Sequence, residues 1–415
     1  MNRFTFALLI MALMSSAMFA AGSSMTNLGY VVVSPNGPDD GGNYGPGTPG
    51  TTTSGMQEAF DYAVNHKKEV YIIGGGADSS GQPIVYNMST TLHIPAGQDW
   101  HCDGGNYIMN FTQTSGDCLV IDSQMSCYFR FGQIVAANLT SGSVVKLHPV
   151  FIGPDGFNII GTTVFEFTGI VGGGSAGGAI GLYVLADTAP NGNITDGLDL
   201  RVRSISGCAT GVRMEGDRGV QNISLDCQRI QGCATGIYIV SGTNPYAIYG
   251  NRIYAGLSSL GSGTAIGARV SYGTNNEFHL RWLNTYGNGN AMVFDGSSAN
   301  NVVYATNLPV AGISNTSSSK TNLIIPTEPI GFSVTTPSVA NTTQYRTNET
   351  GYRVVVTILT PGTNVTSWRI IDAVGNPATT ISAALTAGQA ILLEPGEQIS
   401  FTYSAAPTWV WRALR

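Results

Sequence analysis

The chain has 415 residues, of which 43% are hydrophobic and 11% charged. Charged residues make up about a quarter of an average soluble domain, so polarity here comes from Gly, Ser, Thr and Asn, the balance of a turn-rich all-β protein. A formal net charge of -6 argues against a nucleic-acid partner, which would need a basic stripe, and apolar residues spread along the whole chain argue against disorder.

Residues 1–22 read as an export signal. Met1-Asn2-Arg3 supplies a positive charge, Phe4 to Met14 is mostly apolar, and Ala20-Ala21-Gly22 are small. An uncleaved anchor is the alternative, although the apolar run falls short of the roughly 20 residues of a membrane span. No later segment is a candidate span, so a secreted or cell-surface protein is expected, with a virion as the other location. Residues 23–52 read as a Gly/Pro-rich linker, because Ser34-Pro35-Asn36-Gly37-Pro38 and the glycines up to Gly50 favour turns over regular elements.

A single helix follows. Ser54-Gly55-Met56-Gln57 matches a capping box, Met56, Phe60, Ala63 and Val64 form one apolar face, and Asn65-His66 closes it. Val70 to Ile73 reads as a strand, and Tyr86 to Ile94 as extended chain ending at Pro95-Ala96-Gly97.

The strongest signal is a repeat. Gly207-Cys208-Ala209-Thr210-Gly211-Val212-Arg213-Met214 returns as Gly232-Cys233-Ala234-Thr235-Gly236-Ile237-Tyr238-Ile239, a period of about 25 residues typical of solenoid units. Weaker copies lie at Ala179 to Val184, Ala265 to Val270 and Asn290 to Phe294, with earlier ones at Gly116 to Ile121 and Gly142 to Leu147. A second type of strand lies between copies: Leu198 to Val202, Ile223 to Cys227 and Glu277 to Trp282. Both alternate with period two, which gives one inward and one outward face. A lone coil cannot bury its inner face, whereas a stack can. Asn193, Asn222, Asn251, Asn276 and Asn301 mark corners, where Asn tolerates tight bends and can pair with the coil above. The predicted architecture is an all-β chain: a right-handed parallel β-helix over 53–325 with an N-terminal capping helix, then a small β-sandwich over 326–415. In the latter, Tyr352 to Leu359, Ser367 to Asp372, Ala390 to Leu393 and Ile399 to Tyr403 read as short strands. Trp409 and Trp411 alternate with Val410 and are expected to close the sandwich core, with a second sugar-binding surface as the lesser alternative.

The cap helix Met56-Gln57-Glu58-Ala59-Phe60, the strand Val70 to Ile73, the Thr91-Leu92-His93-Ile94-Pro95 segment and the Thr-Gly-Ile coils together resemble the pectate-lyase-like β-helix superfamily over roughly 50–325. The resemblance implies a fold shared by polysaccharide lyases, glycoside hydrolases, phage tailspikes and adhesins. The chain departs from the pectin hydrolases in having no Gly-His-Gly, in placing Asp39-Asp40 before the cap helix, and in reading Arg229-Ile230-Gln231 where that family carries Arg-Ile-Lys. The tail from Leu393 to Trp409 resembles the small C-terminal domain of some viral fibre and spike proteins.

Aligned by alternation, Tyr183, Arg213, Tyr238 and Arg269 point outward on neighbouring coils about 4.8 Å apart. Rings stack on sugar faces and guanidinium groups clamp carboxylates or sulfates, so this ladder is the candidate substrate-binding row; mutual cation–π stabilisation is the competing explanation. A second outward row holds Asp122, His148, Glu215 and Asp295. Glu215 and Asp217 are the candidate catalytic pair, one acid and one base as in an inverting glycosidase, against a solvated turn Glu215-Gly216-Asp217-Arg218 with a local salt bridge. The five histidines have no metal spacing; no metal or cofactor is expected, with calcium left open. Six cysteines permit disulfides, or are buried apolar groups. Cys208 and Cys233 share one repeat position and are expected to stack as thiols. Asn-X-Ser/Thr sites occur at Asn87, Asn110, Asn138, Asn193, Asn222, Asn315, Asn341, Asn348 and Asn364.

Two functions fit. One is an exported protein that binds an extracellular polysaccharide or surface glycan, with cleavage as a lyase or hydrolase open. The other is a non-enzymatic adhesin or viral-type spike, its solenoid a stalk and its C-terminal domain used for attachment or assembly as a homotrimer.

Overall fold

The computed structural model describes residues 29–74, 82–150, 159–186, 194–217, 219–241, 244, 247–258, 265–282, 290–307, 312–326, 334–373, 375–376 and 380–414. The export-signal reading and Asn193 therefore lie outside the described residues. No described helix is long and apolar enough to cross a membrane.

The described strands form a parallel β-helix with three faces. Sheet A has 14 strands, from Tyr30–Val33 to Leu323–Pro326. Sheet B has nine, from Leu92–Ile94 to Ile313–Asn315, and sheet C has seven, from Gly97–Gln98 to Gly273–Thr274. One coil visits each in turn: Ser224–Gln231 in A, Thr235–Val240 in B, Ile248–Tyr249 in C, then Arg252–Ser258 in A again. Every pairing in these sheets is parallel and nearly in register, so like positions stack.

Period-two alternation explains the interior. Leu225, Cys227, Ile237 and Ile239 are buried, while Asp226 and Ser224 are exposed. Phe129 stacks on Phe165 at 5.2 Å and Phe131 on Phe167 at 5.5 Å, inside consecutive coils. The Thr-Gly-Ile repeat has a steric cause. A Cβ on Gly211 would lie 2.6 Å from the Gly236 carbonyl oxygen, and one on Gly236 2.5 Å from that of Gly267. Only glycine lets the coils approach at this corner.

Asparagine holds another corner. Asn251, Asn276, Asn301 and Asn322 are buried on successive coils. Asn251 Nδ2 donates to Asn276 Oδ1 at 2.9 Å, Asn276 to Asn301 at 3.0 Å, and Asn301 to Asn322 at 2.8 Å. The same Oδ1 atoms accept the backbone N–H of the preceding asparagine. Corner amides that no sheet reaches are thereby satisfied. Asn222 is outside this ladder but fits the expected corner role, taking a left-handed conformation with φ 54° and donating to Asp196 on the neighbouring coil.

The N-terminal segment corrects the linker reading. Tyr30–Val33 is the first strand of sheet A, paired with Glu69–Ile72, and Val31, Val32 and Val33 are buried. Three consecutive β-branched residues cover the end of the stack, a stronger influence than the turn formers that follow. Those glycines pack tightly: a Cβ on Gly45 would meet the Ser34 oxygen at 2.4 Å. Helix α1 (Met56–His66) covers the same end through Met56, Ala59, Phe60 and Ala63. Its cap also differs from expectation. Thr53 Oγ1, not Ser54, accepts from Gln57 N at 3.1 Å, while Ser54 donates to the Asn87 carbonyl and the Gln57 amide pairs with the His93 backbone. Contacts with the first coils outcompete the local capping box.

All six cysteines are free and buried. Cys208 and Cys233 occupy adjacent coils, and the hydrogen bond that Cys208 donates to Cys233, then burial, pushes the Cys208 thiol up. Two antiparallel sheets follow the helix, of four and three described strands. Phe401 of one meets Trp409 of the other at 5.5 Å, and Trp409 and Trp411 are both buried, as their alternation predicts. This unit docks on the last coils through Ile324 N to Gly351 O at 2.6 Å and Lys320 to Glu349 at 3.6 Å. Among the Asn-X-Ser/Thr sites, Asn348 is fully buried and donates to Tyr352 and Leu393 carbonyls, so it is closed to modification in the fold.

Candidate functional site

On sheet B the outward positions of successive strands fall in register. Tyr183, Arg213, Tyr238 and Arg269 occupy four neighbouring rungs, as alternation predicts, and Lys146 extends the row by one. Cations alternate with rings. Lys146 Nζ lies 5.7 Å from the Tyr183 centroid, the Arg213 guanidinium 5.7 Å from Tyr183 and 5.5 Å from Tyr238, and that of Arg269 5.4 Å from Tyr238. Each of the two rings is thus covered on both faces.

The charges of this row are also matched. Lys146 Nζ is 3.0 Å from Asp117, and Arg269 donates from Nε and Nη2 to Asp295 at 2.9 and 2.5 Å. Tyr183 Oη donates to Glu215 Oε2 at 2.6 Å. Arg213 Nε lies 2.7 Å from the same oxygen, an ion pair without hydrogen-bond alignment. Burial, and then the Glu215 contact, push the Tyr183 hydroxyl up. Burial of Asp117 works against its charge, but hydrogen bonds from Ser143 and Lys146 outweigh it and hold the carboxyl below its usual range.

Glu215 is therefore already engaged by two neighbours. Its row does contain Asp122, His148 and Asp295, but Leu185 and Val240 flank Glu215 directly. The expected acidic row is interrupted because only some coils carry an acid at that position. Burial raises the Asp122 carboxyl, with His93 opposing. Asp217 follows at the strand's end, where its carbonyl accepts from Asn244 at 3.4 Å; Arg218, its expected salt-bridge partner, lies outside the described residues. No group of three or more metal-ligating side chains occurs among the described residues.

Sheet A carries a second outward row that sequence reading missed. Asp103, Arg130, Glu166, Arg201 and Asp226 occupy successive rungs, followed by Tyr254, His279 and Tyr304. Arg201 bridges Glu166 at 2.9 Å and Asp199 at 2.6 Å, and Tyr128 Oη donates to Glu166 at 3.0 Å. The three rings stack nearly flat, with centroids 4.3 and 4.7 Å apart and interplanar angles of 13° and 17°. His279 Nε2 sits 2.6 Å from Glu277, and this bond, aided by Arg252, lowers the Glu277 carboxyl. His279 shields one face of Tyr254; the other is turned toward the Asp226 rung, and the side chain is 39% exposed.

A groove of about 570 Å³ runs over this row, lined by Arg130, Glu166, Arg201, Arg203, Asp226 and Gln228 among others. Arg130, Arg201, Arg203, Asp226 and Gln228 are exposed, and Glu166 is half-buried. Glu166 and Asp226 lie two rungs apart, a backbone separation of roughly 9.6 Å at about 4.8 Å per rung. The available signal was the alternation of Leu198 to Val202, Ile223 to Cys227 and Glu277 to Trp282: aligning their outward residues brings Arg201, Asp226 and His279 near one row.

No protein-family model matches the chain, and no curated protein matches it. Among solved structures, the chain is similar to full-length tailspike protein 2 from Escherichia coli O157:H7 bacteriophage CAB120. The two are 13% identical with a TM-score of 0.35, over 92% of this chain and 68% of the tailspike chain.

Proposed function

We propose that this chain is an exported or virion-surface glycan-binding protein that holds an extended polysaccharide along the outer face of sheet A. The supporting observation is the groove beside Asp226, which has charged and amide side chains along it, with the Tyr254 ring on the next rung. Aromatic faces pack against apolar sugar faces, while arginine and carboxylate groups fix orientation through hydrogen bonds. A β-helix suits a long ligand because its side chains repeat at about 4.8 Å along one axis.

Cleavage is the finer reading. Glu215 with Asp217 is one candidate acid–base pair, and Glu166 with Asp226, across Arg201, is the other. Titration of the full chain with a panel of soluble polysaccharides, followed by reducing-end and unsaturated-product assays, tests both levels. Binding by at least one polymer that weakens in Tyr254→Ala is the expected result. Failure of every polymer to bind overturns the proposal. Product whose formation survives Glu215→Gln and Asp217→Asn but stops with Asp226→Asn moves the chemistry to sheet A.

A further inference from the structure

Between Gln124–Met125 in sheet C and Tyr128–Val135 in sheet A, a tight turn brings a nucleophile against an amide. Ser126 takes a left-handed backbone conformation with φ 56°, which folds Cys127 back toward Gln124. Cys127 Sγ donates to the Met125 carbonyl at 3.2 Å and lies 3.6 Å from Gln124 Oε1. Trp100, from the preceding coil, donates Nε1–H to the same Oε1 at 3.3 Å, and Gln124 Nε2 donates to the Pro95 carbonyl at 2.8 Å. Cys127 N donates to Thr163 Oγ1 at 3.3 Å, which fixes its backbone against the next coil. Gln124 is fully buried, and Cys127 and Trp100 are 3% and 7% exposed.

Register marks Gln124 as out of place. The rungs stacked after it in sheet C carry Ile160, Thr195, Val220 and Ile248. A buried primary amide costs free energy that an apolar side chain at this position avoids. Its neighbour is a thiol, and the indole N–H is aimed at the amide oxygen. Gly97 makes that aim possible, because a Cβ there would lie 1.7 Å from Trp100 Nε1.

We propose that Cys127 and Gln124 join in an internal thioester, an acyl donor toward a primary amine. Sγ adds to Gln124 Cδ, the thiol proton passes to Nε2, the Cδ–Nε2 bond breaks and ammonia leaves. The exchange is redox-neutral and consumes no other reagent. Fixing the two groups in contact replaces a bimolecular encounter, and Trp100 Nε1–H stabilises the negative charge that builds on Oε1 as sulfur adds. Burial pushes the Cys127 thiol up, so the proton goes to the departing nitrogen rather than to solvent. The same exclusion of water protects the thioester from hydrolysis. A primary amine that attacks Cδ forms an amide at Gln124 and returns the Cys127 thiol. The approach is a cleft of about 400 Å³ between the end of α1 and the Gly97 turn, with Ala63, Val64, Lys67 and Trp100 in its walls.

The test is mass spectrometry of the full chain after digestion at low pH. The peptide that contains Gln124 and Cys127 should be lighter than its sequence by one ammonia. Alkylation of the denatured chain should label one fewer than its six cysteines. Methylamine added to the folded chain should appear as an amide at Gln124 and restore the missing thiol. Gln124→Glu keeps the shape but has no ammonia to lose, so all its thiols should alkylate and methylamine should not be incorporated. A wild-type peptide at its full sequence mass overturns the proposal, whether or not the variant folds. A mass deficit that persists in Gln124→Glu overturns it as well, because the bond then lies elsewhere. A thioester that methylamine opens only in urea overturns the acyl-donor role and supports the cross-link.

Discussion

On sheet B, Tyr183 and Tyr238 are each sandwiched between two cations, and Asp117, Glu215 and Asp295 neutralise the cations in turn. On sheet A the row changes character partway along. Charges pair up to Arg201, then three rings stack on one another, and Arg203, Arg229 and Arg281 stand exposed without acids among the described residues. Both rows arise from the same device, parallel strands in register that convert a sequence repeat into a ladder. The difference teaches that a ladder is not in itself a binding face. Where neighbours satisfy one another, the row acts as a strut along the stack; where charge or ring faces are left over, it can engage a partner.

The largest effect should come from the corner that supports both faces. Asn276→Ala removes side-chain bonds to Asn251, Asn301 and the Ile248 carbonyl and strands the buried backbone N–H of Asn251. A loss of about 3 kcal/mol is expected by urea denaturation, together with weaker glycan binding. A loss near zero would mean that the asparagine ladder does not hold the register of the two faces.

Arg213→Ala should separate the faces. It uncovers Tyr183 and Tyr238 and releases Glu215, at a cost of about 1–2 kcal/mol in stability, while glycan affinity stays unchanged. The reverse pattern, lost affinity with stability intact, would make sheet B the binding face and the ladder of Tyr183, Arg213, Tyr238 and Arg269 its contact row. Tyr254→Ala is the complementary change. It should weaken glycan binding by about 1 kcal/mol and shift stability by less than that, read by calorimetric titration beside thermal unfolding.

The smallest effect is a pH dependence at the sheet B row. The folded-state pKa of Asp117 is lowered, so its contribution is complete above the ordinary carboxylate pKa near 4 and is lost as pH falls through the lower folded value. Asp122 has the opposite sign, favouring the fold at low pH and losing that contribution as pH rises through its raised value. Asp117→Asn should flatten the acid limb of a stability profile by less than about 1 kcal/mol without altering glycan binding. An unchanged acid limb would detach Asp117 from that pH response.

The coil repeat, the capping helix, the stacked Cys208 and Cys233 thiols and the final tryptophan strand were all legible from residue order. Period-two alternation and the spacing of Gly207 and Gly232 are local facts, and any chain carrying them must stack to bury its inner face. The strand at Tyr30–Val33 was not legible, because turn formers beside it masked three valines whose partner is nearly 40 positions away in the chain.

The Tyr183 to Arg269 row follows from the repeat alone, since its coils share a motif that aligns itself. What lies around that row does not. Asp117 reaches Lys146 and Asp295 reaches Arg269 from neighbouring coils, and the sheet A strands have no shared motif to reveal that Asp226, Tyr254 and His279 stack. By itself the sequence determined that outward ladders exist. Only the tertiary structure decided which ladder is internally matched and which remains open, because charge pairing and ring coverage depend on coil-to-coil register.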